Sequence, residues 1–165
     1  MKKKLIIFMG PARAGKTEWI NYLLNKYPKA KLVSDYTCTL QNDFLCYQKI
    51  KNKILNNNIV IVDMYLTTEK ERKIFFDNLN IPKDIEIIGV WIENTWQNIV
   101  ENNNKKQGYA HLEQATLKNI FNKRFPPKKE EEDFNDIYFL TLNANLGISL
   151  SCPILTSVQN AIDRI

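Results

Sequence analysis

The sequence predicts an α/β fold: a single domain over residues 1–165, built on a five-stranded, mostly parallel sheet with helices on both faces and a lid. Three observations predict it. Short apolar runs alternate with stretches of helical spacing; the first run ends in the loop Gly10-Pro11-Ala12-Arg13-Ala14-Gly15-Lys16-Thr17; and two later runs end in aspartates, Asp35 and Asp63. Strands alternating with helices imply right-handed crossovers and a parallel sheet. Such a sheet gathers ligand-binding residues at the carboxyl ends of its strands, where Gly10, Asp35 and Asp63 all fall.

The elements follow in order. Residues 5–9 are a continuous apolar run suited to a buried parallel strand. Trp19, Ile20, Leu23 and Leu24 have the spacing of one helical face, and Pro28 ends that helix. A second strand is expected over 30–34, a helix over about 40–55, and the clearest strand over 59–62, rich in β-branched residues. Thr67 and Thr68 supply an N-cap, with Glu69 and Glu71 in the first turn of a helix reaching Leu79. A fourth strand is expected over 85–92 and a fourth helix over 95–102. Residues 102–108 are polar and without period, which reads as a mobile loop. A helix over 112–125 stops at Pro126-Pro127, a fifth strand covers 137–142, and a terminal helix covers 153–165.

Composition narrows the function classes. The chain has 165 residues, enough for one substantial core, and no linker-like stretch divides it. A formal charge of +5 favours an anionic partner, though lysine is abundant throughout. No apolar stretch approaches the length of a membrane span, and Met1-Lys2-Lys3-Lys4 precedes too short an apolar segment for a signal peptide, so no membrane partner and a cytoplasmic location are expected. Cys38, Cys46 and Cys152 are odd in number without CxxC spacing, and are expected as free thiols.

The loop of residues 10–17 has the pattern GxxxxGK[ST], a phosphate-binding loop. Its glycines turn backbone N–H groups towards an oligophosphate, Lys16 reaches the β- and γ-phosphates, and the Thr17 hydroxyl suits Mg²⁺. ATP and Mg²⁺ are therefore the expected ligands. Asp63 has the place of an aspartate that holds Mg²⁺, directly or through water. Asp35, ending the strand after the loop's helix, is the candidate general base for an acceptor hydroxyl. Lys105 and Lys106 are candidate lid cations, with Lys123 and Arg124 behind them. Arg13 is expected to face solvent, His111 to lie at the surface, and Trp91 and Trp96 to serve the core.

Residues 10–17, Ser34-Asp35-Tyr36, Asp63-Met64-Tyr65-Leu66 with Glu71-Arg72, and the stretch from Phe125-Pro126-Pro127 to Ile137 together resemble the small P-loop kinases related to the kinase domain of phage-type polynucleotide 5′-kinases. The resemblance covers the chain to about Leu142. It implies that Lys16 stabilises the transferring phosphate, that Asp35 activates the 5′-hydroxyl of a single-stranded or end-exposed nucleic acid, and that a lid supplies arginine. Two departures stand out. The arginine expected shortly after Asp35 is replaced by Tyr36-Thr37-Cys38-Thr39, and the lid carries lysines, which lack the bidentate fork of arginine. A small-molecule kinase acting on a nucleotide, sugar or antibiotic, and an inactive ATP-binding module, are the alternatives. A GTPase is disfavoured, because no NKxD occurs and Asp63 does not begin a DxxG.

Overall fold

The computed structural model describes residues 2–34, 43–108 and 111–142. Along the chain run β1 (Lys4–Met9), α1 (Lys16–Lys26), β2 (Lys31–Ser34), α2 (Asp43–Asn56), β3 (Ile59–Asp63), α3 (Glu69–Leu79), β4 (Glu86–Asn94), α4 (Trp96–Asn104), α5 (Gln114–Lys123) and β5 (Asp136–Leu142). The sheet has the order β2-β3-β1-β4-β5, with every pairing parallel. The expected α/β architecture is therefore present, with β1 at its centre.

Burial on both faces explains the unbroken apolar run of β1. Leu5, Ile7 and Met9 pack with Val60 and Val62 against Tyr47, Ile50 and Ile54 of α2 and Phe75 and Leu79 of α3. Ile6 and Phe8 point the other way, joining Ile61, Val90 and Ile92 against Trp19, Ile20 and Leu23 of α1. The period-two alternation of a strand thus serves two helical layers. A third cluster joins Ala12 of the phosphate loop to Ile99 of α4 and Leu117 of α5, so these helices pack directly on the loop. Trp91 is core, as expected, and Trp96 packs on Phe121 with ring centroids 5.3 Å apart.

Local signals set the helix starts. Thr68 closes a capping box: its hydroxyl accepts from the Glu71 N–H, and the Glu71 carboxylate accepts from the Thr68 N–H at 2.9 Å. Thr95 caps α4 by accepting from the Asn98 N–H. Two expectations need correction. Residues 102–104 are the last turn of α4 rather than loop, because the side chains of Asn102 and Asn103 bond outward to other segments and do not compete with their own helix. Cys46 is disulfide-bonded rather than a free thiol, and both other cysteines lie outside the described residues. The expected terminal helix over 153–165 also lies outside them.

Candidate active site

β1 delivers the chain into the phosphate loop at Gly10, whose φ is +130°. A Cβ there would lie 2.3 Å from the Ile92 carbonyl oxygen on β4, so only glycine lets the loop leave the sheet this close to its neighbour. The Gly10 N–H donates to the Tyr65 carbonyl at 3.0 Å, tying the loop to the residues after β3. Gly15, at φ +105°, is the N-cap of α1 and offers no side-chain cap. The first-turn N–H groups and the positive end of the helix dipole are left to an anion.

Lys16 is buried, and its Nζ donates back to the carbonyls of Gly10 at 3.0 Å and Pro11 at 3.2 Å. The same ammonium lies 4.8 Å from the centroid of the half-exposed Tyr65 ring. Asp63 ends β3 partly buried. Burial pushes its carboxyl above the ordinary aspartate range, against the opposing pull of the Lys16 charge. A partly desolvated carboxylate beside an oligophosphate loop is a fitting oxygen donor for a hard divalent cation, and the exposed Thr17 hydroxyl on the first turn of α1 is a second. Among the described residues there is no cluster of three His, Cys, Asp or Glu side chains, so such an ion would depend on phosphate oxygens as well.

In the register of β2 and β3, Ser34 stands opposite Asp63, and Phe8 of β1 stands on its other side. The chain leaves β2 next to the acidic end of β3. The next residue is Asp35, which lies outside the described residues together with Tyr36.

The loop has an outer wall that sequence reading did not find. Asn94, at the end of β4, donates to the Ala14 carbonyl at 3.3 Å and accepts from Asn98 at 2.8 Å. Asn102 donates to the Arg13 carbonyl at 3.0 Å, and the Arg13 Nε donates to Asn103 Oδ1 at 3.2 Å. The Arg13 side chain is therefore tied to α4, contrary to the expectation that it faces solvent. Asn103 also bonds both backbone groups of Leu112, and its Nδ2 lies 3.2 Å from Nε2 of the exposed His111. Spacing carries one usable signal: Asn98 and Asn102 lie four residues apart within α4 and so share a face.

Arg72 was visible only as part of a motif, yet its side chain is fully buried. It grips Glu132 with two bonds, at 2.6 and 2.9 Å, and donates to the carbonyls of Leu66 and Phe125. The segment after β3 is thereby fastened to the exit of α5. Arg124 pairs with Glu93 at 2.7 Å and lies 3.6 Å over the Phe121 ring. Lys105 and Lys106 are exposed just past α4.

No protein-family model matches the sequence, and no curated protein does. Solved structures do match, over nearly the whole chain. Kti12 from Chaetomium thermophilum in complex with ADP-AlF3 shares 13% identity over 96% of this chain and 97% of its own, with a TM-score of 0.73. The chain has the fold of the small P-loop kinases. A fungal RNA kinase shares that fold at 15% identity over 98% of this chain and 84% of its own, with a TM-score of 0.68. So does the Mycobacterium tuberculosis APS kinase CysC in complex with AMPPNP and APS, at 15% identity over 98% and 96%, with a TM-score of 0.59. Within the P-loop kinase fold, the loop at 10–17, Asp63 and the end of β2 gather on one side of one sheet, as the strand ends required.

Proposed function

We propose that residues 1–165 form a single ATP-dependent kinase domain that transfers the γ-phosphate to a hydroxyl, and that the acceptor is the 5′-hydroxyl end of a polynucleotide. One observation carries the reading: the phosphate loop with buried Lys16 lies beside Asp63, and β2 ends at Asp63's register partner, one residue before Asp35. Asp63 at the end of β3, and Asp35 next in sequence after β2, suit two roles, one towards metal and one towards the acceptor.

The acceptor oxygen attacks the γ-phosphorus while the bond from that phosphorus to the β,γ-bridging oxygen breaks. ADP leaves, and the hydroxyl proton passes to the Asp35 carboxylate. Lys16 and the N–H groups of the α1 first turn hold the phosphate oxygens and offset the charge that moves onto the bridging oxygen. Thr17 and Asp63 would hold Mg²⁺, which supplies further charge neutralisation at the phosphates. Lys105 and Lys106 supply lid cations. The net positive charge of the chain suits a polyanionic acceptor, and one structure of like fold is an RNA kinase.

The likeness to an APS kinase favours a second reading, a small-molecule acceptor on the same machinery. Transfer from γ-labelled ATP to 5′-hydroxyl DNA and RNA oligonucleotides, compared with nucleosides, sugars and aminoglycosides, separates the two. The proposal expects labelled oligonucleotide that a 5′-phosphate abolishes. Label only on small acceptors overturns the polynucleotide reading, and Mg-ATP binding with no transfer to any acceptor overturns the kinase reading.

A further inference from the structure

Arg13 sits in the phosphate loop with a φ of +67°, the left-handed region that costs a residue with a side chain on the order of 1 kcal/mol or more. Two asparagines of α4 hold it there, Asn102 through its backbone carbonyl and Asn103 through its guanidinium. Asn103 is buried, with 3% of its surface exposed, and its orientation is fixed by its neighbours. Oδ1 accepts from the Leu112 N–H at 3.0 Å and from Arg13, and Nδ2 donates to the Leu112 carbonyl at 2.8 Å. A single amide thus joins the strained residue of the loop to the stretch that follows Lys105 and Lys106.

We infer that Asn102 and Asn103 are positioning residues that hold the phosphate loop in its nucleotide-binding shape, and that Asn103 couples that shape to the lysine-bearing segment between α4 and α5. The coupling is mechanical: when the Arg13–Asn103 bond is made, Leu112 and the loop are held against the same helix end. Neither asparagine need touch the nucleotide. The transfer part of the inference rests on the proposed kinase reading, and the binding part does not.

The test measures the affinity of full-length protein for Mg²⁺ and a fluorescent ATP analogue, with melting temperature and phosphate transfer in parallel. Asn102→Ala and Asn103→Ala are each expected to weaken nucleotide binding about tenfold, the scale of one hydrogen bond lost from the loop. Glycine adopts positive φ without help. Combining Arg13→Gly with Asn103→Ala should therefore return affinity to within about threefold of Arg13→Gly alone. Transfer stays reduced in that double variant, because the link to Leu112 is still cut. A merely structural role lowers the melting temperature of Asn103→Ala without any recovery of affinity from Arg13→Gly. Since Asn103 is buried and its loss can cost the fold, the half-buried Asn102→Ala with Arg13→Gly repeats the binding comparison. Wild-type affinity in Asn102→Ala and Asn103→Ala, or no recovery in either double variant, overturns the inference. A wild-type protein that binds nucleotide but transfers nothing overturns the kinase reading instead, while the binding series still decides this one.

Discussion

Replacing Gly10 by alanine is the most direct perturbation of the loop's geometry. The new Cβ would stand 2.3 Å from the Ile92 carbonyl oxygen, where real Cβ contacts essentially never fall below 3.0 Å. Either the loop or β4 must move by ~0.7 Å or more, and both partners are backbone, so no side chain can swing aside. The alanine must also adopt φ near +130°, which costs on the order of 1–3 kcal/mol. Added to about 1–3 kcal/mol for overpacking a close-packed site, the expected destabilisation is roughly 2–6 kcal/mol. The displacement also moves the Gly10 and Pro11 carbonyls that Lys16 holds, and an error of that size in a phosphate site costs on the order of a hundredfold in rate. Urea denaturation gives the stability change, and titration with a fluorescent ATP analogue gives the affinity. A Gly10→Ala protein within about 0.5 kcal/mol of wild type in stability, with unchanged affinity, would refute the reasoning.

Other perturbations test the supports of the site. Arg72→Met strands the Glu132 carboxylate, 8% exposed, without its guanidinium, and should cost about 3–5 kcal/mol, seen as a fall of roughly 6–20 °C in melting temperature. Arg72→Met with Glu132→Leu should recover most of that loss, and a double variant as unstable as the single one would count against an ion-pair origin. Asp63 should make stability depend on pH. Its native pKa is raised by burial, against the pull of Lys16, so the native state binds this proton more tightly than the unfolded chain. Its contribution is then full below the ordinary aspartate value of about 3.9 and lost as pH rises through the raised native value. Asp63→Asn should therefore melt above wild type at neutral pH, converge with it in acid, and lose Mg²⁺-dependent transfer. Thermal melts across pH check the sign, and a variant that melts below wild type at neutral pH would contradict it.

Much of the fold was legible because its signals are local. The apolar run of β1, the glycines at 10 and 15, and the threonine N-cap with acidic residues in the first turn of α3 each act within a few residues, and each has the structure its chemistry demands. The alternation of strands and helices then left few topologies open. Contacts distant in sequence were not legible. Arg72 and Glu132 are sixty positions apart, and nothing near either residue identifies its partner. The asparagines of α4 misled for a specific reason: asparagine favours loops when its amide competes with its own backbone, whereas here the amides of Asn102 and Asn103 are engaged by Arg13 and Leu112. The placing of residue 35 beside Asp63 was an expectation from strand ends alone; the described residues reach Ser34, whose register partner is Asp63, and Asp35 itself lies outside them.

The central claim is that the phosphate held by Lys16 goes to a hydroxyl whose proton Asp35 accepts. Single-turnover transfer from γ-labelled ATP to a 5′-hydroxyl oligonucleotide, by wild type and Asp35→Asn with nucleotide affinity measured on both, tests it most directly. The account predicts a loss of roughly 10²–10⁴-fold in transfer with affinity within about threefold of wild type. Undiminished transfer by Asp35→Asn would contradict it.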